Sequence, residues 1–334
     1  MSAPDEPAGP VGFALHRPAG RARTRVDGAP PVVCAVLVLA LLVLPFFAYP
    51  IFLMKALCFA LFAGAFNLLL GYGGLMSFGH AAYFGFAGYV STYATKVWGL
   101  TPELAIVAGT CAAALMGLVF GAIAIRRQGI YFAMITLALA QLLYFICLQS
   151  DFTGGEDGIQ GVPRRALLGL VPLKDDLVLY FVVLAIFLVG MFAIYRIIHS
   201  PFGHVLRMIR DNEPRAISLG YRAPQYKLVV FVLSTALAGL AGATKGIVFQ
   251  LASLTDVHWS MSGEVVLMTL VGGMGTILGP VVGAAIMIGI ESYFAHIGGW
   301  ITVLQGTIFI LCVVLFPAGI VGVIQTWFKG ARSA

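Results

Sequence analysis

The segment HSPFGHVLRMIRDNEPRAISLGYRAPQYKL, residues 199–228, is the longest polar interval after the chain first enters an apolar run, and it splits the hydrophobic sequence in two. Phe202, Val205, Leu206 and Ile209 recur at the i, i+3, i+4, i+7 spacing of one helical face, with Arg207 and Arg210 elsewhere on the wheel, which predicts a short amphipathic helix. Asp211, Asn212 and the Glu213-Pro214 step end it. A residue before proline is pushed out of the α region, while proline is tolerated in the first turn of the next helix. A second short helix over Arg215 to Leu219 then stops at Gly220, a residue suited to the left-handed position after a helix. A solvated connector is the plainer reading of any polar loop; the paired helix signals favour a compact element of defined shape.

Outside this interval the composition decides the class. Of 334 residues 60% are hydrophobic and 10% charged, with a mean hydropathy of +0.98, whereas soluble domains carry about 25% charged residues. A soluble globular protein is excluded, and the chain is expected to be an all-α polytopic membrane protein. Forty glycines suit close helix packing in lipid. The five cysteines all lie in apolar runs without a C-x-x-C pair, so they read as small buried hydrophobes, with no zinc site or disulfide framework.

Residues 1–31, rich in Pro, Gly, Ala and Arg, are expected to form a disordered cytoplasmic tail. Residues 32–326 form the membrane domain, and residues 327–334 a second cytoplasmic tail. Val32 to Ala48 reads as a retained helix rather than a cleaved signal, because no A-x-A-like site follows and another span begins at once. Spans follow near Ile51–Leu70, His80–Thr95, Glu103–Ile125, Ile130–Gln149, Leu177–Ile198, Lys227–Gln250, Gly263–Ile277, Pro280–Ala295 and Ile301–Val323. That makes about ten, since about 20 residues cover the hydrocarbon core; the short intervals at 80 and 263 fit broken or re-entrant helices, so eight to eleven spans fit the pattern. With the N-terminus inside, Arg17, Arg21, Arg23, Arg25, Arg126, Arg127, Arg196, Lys329, Arg332 and the five cations of the 199–228 interval lie on the cytoplasmic side. Only Lys96, Arg164, Arg165 and Lys174 lie outside, with Lys55 and Lys245 in or near spans. This asymmetry obeys the positive-inside rule and puts both termini in the cytoplasm.

Two glycine-rich stretches, Gly71-Tyr-Gly-Gly-Leu-Met-Ser-Phe-Gly-His80 and Gly272-Gly-Met-Gly-Thr-Ile-Leu-Gly-Pro280, interrupt the apolar pattern. Irregular backbone at membrane depth survives only where protein or a water-filled cavity satisfies its polar groups, and paired breaks point to a transporter's path. Tight turns between packed helices are the alternative. The glycines of the two stretches are offset by one residue, so an internal repeat is only suspected.

With these residues in place, the chain resembles the LivM-like branch of the branched-chain amino acid ABC importer permeases. The resemblance rests on the E-x-x-A-x-x-x-G pattern of Glu213, Ala216 and Gly220 with the flanking Ser200-x-x-Gly203, on Gly71 to Tyr89, on the run Tyr131 to Ala138, on Thr153-Gly-Gly-Glu-Asp-Gly158 and on Val271 to Gly283, and it covers nearly everything from residue 50 to 323. It implies that residues 199–226 are an ATPase-coupling loop, with Gly203, Arg207, Glu213, Ala216 and Gly220 as its key positions. It implies a heterodimer with a second, LivH-like permease, two cytoplasmic ATPases that bind ATP and Mg, and a periplasmic substrate-binding protein at a bacterial inner membrane. Pro214 departs from the alanine common beside that glutamate. Branched-chain amino acids are the expected cargo; urea, short amides and aromatic acids are carried by similar permeases, and an ion-coupled carrier is the alternative class.

Polar groups inside spans are costly and face a cavity or a partner. Asn67, Ser77, His80, Thr136, Glu264, Gly272 and Gly273 are the candidate path residues, with helix-to-helix hydrogen bonding as the plain alternative for the polar ones; Gln141, Gln250 and Glu291 are further polar residues in spans. Glu264 needs a partner, which Lys245 or His258 is placed to supply. The outer loop, residues 150–176, offers Thr153, Gly154, Gly155, Glu156 and Asp157 as a docking surface. No G-x-x-x-x-G-K-[ST] occurs, so this chain carries no P-loop, and no histidine pair has metal-ligand spacing. Neither an enzyme nor a nucleic-acid partner is indicated, and no cofactor is expected in this chain.

Overall fold

The computed structural model describes residues 31–163, 166, 175–294, 296, 298–315 and 319–323. The expectations for the tails at 1–30 and 327–334, and for Arg164, Arg165 and Lys174, lie outside these residues. Helices dominate: α1 (Pro31–Val43), α2 (Pro50–Asn67, continued by a π turn Leu68–Tyr72), α3 (His80–Lys96), α4 (Pro102–Ala124), α5 (Ile130–Gln149) and α6 (Asp176–His199) precede the polar interval, which forms α7 (Pro201–Asp211) and α8 (Glu213–Ser218). The long α9 (Ala223–Phe249) follows, then α10 (Trp259–Gly272), α11 (Gly279–Tyr293) and α12 (Trp300–Leu315).

Each apolar interval read from the sequence thus has a helix. Among the described residues five helical segments are long and apolar enough to cross a membrane, at Pro50–Tyr72 and over α4, α5, α6 and α9. The expected short pieces are short for a visible reason. Helix α10 starts at Trp259, where the His258 side chain accepts a bond from Ser260 N at 3.4 Å, and stops at Gly272 because Gly273 takes φ +117°. Its neighbour α3 is less apolar because it lies inside the bundle, where Ser91, Thr92 and Thr95 return their hydroxyls to carbonyls one turn back at 2.8–3.0 Å.

Helix α9 is the axis of the core and packs most extensively on α3 and α4. This needs residues without side chains where the backbones cross. A Cβ at Gly242 would overlap the Phe84 carbonyl, one at Gly109 would come within 2.6 Å of Ala87 O, and one at Gly246 within 2.9 Å of Thr92 Cγ2. Beside this crossing Phe66, His80, Tyr83 and Phe231 meet edge-to-face with centroids 5.4–5.8 Å apart. Tyr180 on α6 reaches Leu41 O on α1 at 2.6 Å. Of the cysteines, Cys58 and Cys147 are buried as expected, whereas Cys111 is exposed on α4; an outward face of a membrane helix accepts a small apolar side chain as readily as the core does.

The ends of the bundle are distinct. At one end the α2–α3 and α10–α11 breaks, the α4–α5 turn and the α7–α8 element come together. At the other, two two-residue strands, β1 (Ile159–Gln160) and β2 (Leu251–Ala252), pair antiparallel with Ile159 opposite Ala252. Lys96 donates to Gln160 O at 2.8 Å and Gln250 to Val162 O at 2.7 Å. The chain therefore alternates between ends as the span reading requires.

The glycine crossing yields a test. Gly242→Leu forces α3 and α9 apart, an overpacking cost of about 3 kcal/mol or more. The variant should not accumulate as monodisperse protein in detergent-solubilised membranes, whereas Gly289→Leu, with nothing within 4 Å of its Cβ position, should match the wild type. Equal size-exclusion profiles for the two variants would refute this packing.

Candidate functional site

The α7–α8 element is built by short-range chemistry. Ser200 caps α7 by accepting from Gly203 N at 3.3 Å, and Asn212 caps α8 by accepting from Arg215 N at 3.0 Å. Pro201 and Pro214 lie in the first turns, where a missing N–H costs nothing. Tyr221 N bonds to Ala216 O at 3.2 Å and Gly220 N to Ile217 O at 2.9 Å, the paired bonds of a Schellman ending, with Gly220 at φ +89° and open space around it. Gly220 is required for its backbone angle, and the space above it is free.

Gly203 is buried because a Cβ there would run into Ile197 and Ile198 carbonyls. Ala216 is fully buried, packed with Ile209 and Ala223 under Val205, Met208 and Tyr226. Glu213 accepts from Lys227 Nζ at 2.7 Å and from Gln128 Nε2 at 3.2 Å, joining the element to α9 and to the α4–α5 turn. With both members of that ion pair largely shielded, removing one strands the other's charge, at a cost of about 3 kcal/mol. Arg207 folds back on its own connection, donating to Ile198 O at 2.9 Å and Gly203 O at 3.3 Å. Ile217, Leu219 and Tyr221 remain 55%, 63% and 37% exposed, three large apolar side chains on an otherwise charged element.

The two glycine-rich breaks meet beside this element. In the first, the π turn redirects Leu75 N to Leu69 O at 3.2 Å, and the Gly71 carbonyl accepts from Arg210 Nη1 instead. Asn67, one turn before Gly71, uses both ends of its carboxamide on the second break: Nδ2 donates to Thr276 O at 2.8 Å and Oδ1 accepts from Gly275 N at 2.9 Å. A Cβ on Gly71 would come within 2.7 Å of Gly275 N, so glycine alone admits this approach. Gly272 packs against Gly279 and Gly283 with no room for a side chain, and Thr276 closes the second break through Gly273 O at 2.9 Å and Gly279 N at 3.0 Å.

The other candidate path residues are buried between helices. Ser77 Oγ accepts from Gly79 N at 3.3 Å, and Thr136 Oγ1 accepts from Phe78 N at 3.2 Å while donating to Ala133 O at 2.8 Å, stitching α5 to the first break. His80 Nε2 meets Ser234 Oγ at 2.8 Å, and Ser234 gives its proton to Ala65 O at 2.6 Å, so Nε2 is the protonated nitrogen; Nδ1 has no partner among the described residues. None of these residues lines the apolar slots between α2, α4, α6 and α9.

Glu264 stands differently from its expectation. Lys245 pairs with Asp256 and lies 5.7 Å from the centroids of Phe59 and Phe84, and His258 bonds Ser260 at 2.8 Å. Neither bonds to Glu264 directly, although Lys245 is near enough to act on its charge. Helix α10 turns the Glu264, Met268, Gly272 row toward α11, whose Gly283, Met287, Glu291 row faces back; a Cβ on Gly283 would collide with Met268 O. Glu264 therefore faces the Lys55–Glu291 pair, formed at 2.9 Å between α2 and α11, without a direct bond to either. This half-buried charged group sits at the end opposite the α7–α8 element.

In the loop after α5 Thr153 is buried, bonding to Ser150 O at 2.8 Å and to Cys147 O, so it caps α5 and offers no docking surface. Gly154 and Gly155 take φ +77° and +61° to form the turn, and Glu156 and Asp157 are turned outward. Sequence reasoning missed Arg210 and Lys227 as anchors of the α7–α8 element; their only signal was their place among the five cations of the 199–228 interval. It also gave no hint that Gln128 reaches Glu213.

The family described as branched-chain amino acid transport system / permease component matches residues 49–316. The high-affinity branched-chain amino acid transport system permease protein LivM of Escherichia coli (strain K12) is 23% identical over 286 residues, 79% of this chain and 67% of that protein. Its counterpart in Salmonella typhimurium is 22% identical over the same extent, and a probable LivM of Methanocaldococcus jannaschii is 27% identical over 182 residues, 51% of each chain. No solved structure matches. With that family match running from α2 to α12, the chain belongs to the branched-chain amino acid transport permeases: it is a multi-pass membrane transport component and not an enzyme.

Proposed function

We propose that this chain is the LivM-type permease subunit of an ATP-driven importer in a bacterial inner membrane, moving branched-chain amino acids inward by alternating access. It pairs with a second, LivH-like permease. Two ATPases, holding ATP and Mg, lie on the cytoplasmic side, where both termini also lie; the α7–α8 element sits in a groove of one of them, and a periplasmic binding protein delivers substrate to the opposite end. The observation that carries this reading is the α7–α8 element itself: a rigid, capped and ion-paired helix pair at the end of the bundle that presents Ile217, Leu219 and Tyr221 to solvent. Exposed apolar residues clustered on a charged element mark a protein contact. ATP acts by binding one state of the assembly better than the other.

In this scheme the two breaks, with Asn67, Ser77, His80, Thr136, Gly272 and Gly273, form the inner gate of the path, and Glu264 stands on its outer part. Glu156 and Asp157 are the contact points for the binding protein.

Gentle solubilisation of the tagged chain from native membranes should bring down two ATPases and a second permease. Gly220→Trp, which places a large side chain on the docking face and strains the φ +89° ending of α8, should abolish ATP-driven uptake while leaving membrane abundance intact. A chain that purifies alone, or a Gly220→Trp protein that transports at the wild-type rate, would favour an ion-coupled carrier. Reversal of Glu156 and Asp157 to lysine should weaken binding-protein affinity measured on the reconstituted complex about tenfold, the effect of losing close interfacial charge pairs; unchanged affinity removes these residues from the docking surface. Glu264→Gln should slow uptake by the assembled transporter, and an unaltered rate would take Glu264 off the path.

A further inference from the structure

Resting on the ATP-driven reading above, we propose that Arg210, rather than Arg207, is the positioning residue that passes movement of the α7–α8 element to both glycine-rich breaks, through Gly71 and the Asn67 carboxamide. The two arginines lie one turn apart on α7, and their reach separates them. Among the described residues Arg207 hydrogen-bonds only to Ile198, Gly203 and His204, all on its own connection or helix; it lies near Tyr72 of the first break, as Arg210 does, but makes no hydrogen bond to either break. Arg210 is held by the adjacent Asp211 through Nε at 3.1 Å and Nη2 at 2.9 Å, which aims Nη1 across to the Gly71 carbonyl. The stem of the same side chain lies against Gly74, where a Cβ would come within 2.7 Å of Arg210 Cγ. Gly74 has φ +68°, so both the angle and the contact exclude a larger residue there.

Gly71 is a sensitive point at which to apply force. The π turn has already withdrawn Leu75 N from its neighbourhood, so the arginine is the donor that satisfies this carbonyl among the described residues. The same residue touches the second break, and Asn67 one turn earlier locks onto Gly275 and Thr276 with two bonds of opposite sense. Two bonds from one planar group to consecutive backbone units fix orientation as well as distance. Displacing α7 therefore pulls on Gly71, and Gly71 and Asn67 carry the second break with them, so that the two breaks shift together.

The test is the ratio of substrate moved to ATP hydrolysed, measured on the complete importer with its binding protein in proteoliposomes. Arg210→Ala should lower that ratio about tenfold, the scale of one charge-assisted hydrogen bond, with hydrolysis persisting. Arg210→Lys keeps the charge but not the fork geometry and should fall between the two. Asn67→Ala should lower the ratio similarly, and the double variant should be no worse than the more severe single, as members of one serial contact are non-additive. A ratio unchanged in Arg210→Ala, or effects of the two substitutions that multiply, would overturn the proposal. If Arg210→Ala fails to assemble, Arg210→Lys decides by the same ratio. A wild-type complex that moves no amino acid would instead overturn the substrate reading; loss of binding-protein stimulation of ATP hydrolysis in Arg210→Ala would then still support the relay, and retained stimulation would refute it.

Discussion

The carboxamide of Asn67 bonded to the backbone of the second break is the contact on which the rest of the α7–α8 end of the bundle depends. Backbone that leaves helical geometry at membrane depth exposes N–H and C=O groups that lipid cannot satisfy, each at a cost of several kcal/mol. One short side chain, buried to 2% exposure, answers two of them at once. A lysine or glutamate there would bring a charge needing its own partner, and a leucine would leave Gly275 N and Thr276 O without one. Given that clamp, Gly71 must lack a side chain, the π turn must open the chain beside it, and the freed Gly71 carbonyl must find a donor in Arg210.

The same economy of small residues governs the core. Helix α9 reaches α3 and α4 closely only because glycines lie at the crossings. In lipid no hydrophobic force drives helices together, so closeness of backbones and buried hydroxyls returned to carbonyls replace it. Of the polar side chains of the bundle interior, His80, Thr136 and Ser234 are accordingly found in contacts between elements, while Ser77 turns back on Gly79 N within the first break.

What the sequence made legible were the features written in local chemistry. Asp211, Asn212, Pro214 and Gly220 announce stops and starts by residue type, and the α7–α8 element follows them closely, whereas the caps from Ser200 and Asn212 were not read. The apolar intervals announce helices because length and composition suffice for that. Long-range pairing was not legible. Asn67 and Gly275 stand 208 residues apart, Lys55 and Glu291 236 apart, and no spacing rule connects them. Glu264 was matched to Lys245 because both are charged and near in sequence, but the turn after α9 gives Lys245 the closer Asp256. Arg207 and Arg210 are indistinguishable as letters; only the path of the π turn decides which one crosses to a neighbour.

These pairings also define what moves with what. Helix α2 holds the α10–α11 hairpin at both extremes: Asn67 grips the break at one end, and Lys55 pairs with Glu291 at the other, 2.9 Å apart and only partly exposed. Along the row between them, Gly272, Gly279 and Gly283 bring α10 and α11 into backbone contact with no side chain to act as a bearing. A hairpin fixed to one helix at two points about three turns apart resists pivoting against it, and so travels with it as a single body. This body is itself joined to the α3–α4–α9 group, by Ser234 donating to Ala65 O at 2.6 Å, by Ala81 N donating to Ser262 Oγ at 3.0 Å and by the stacking of Phe62 on Phe84. The Arg210 contact joins the α7–α8 element, which is ion-paired through Glu213 and Lys227 to α9, onto α2. It bridges the two bodies at their shared end, which is where a force applied from outside the membrane would have to act to change their relation.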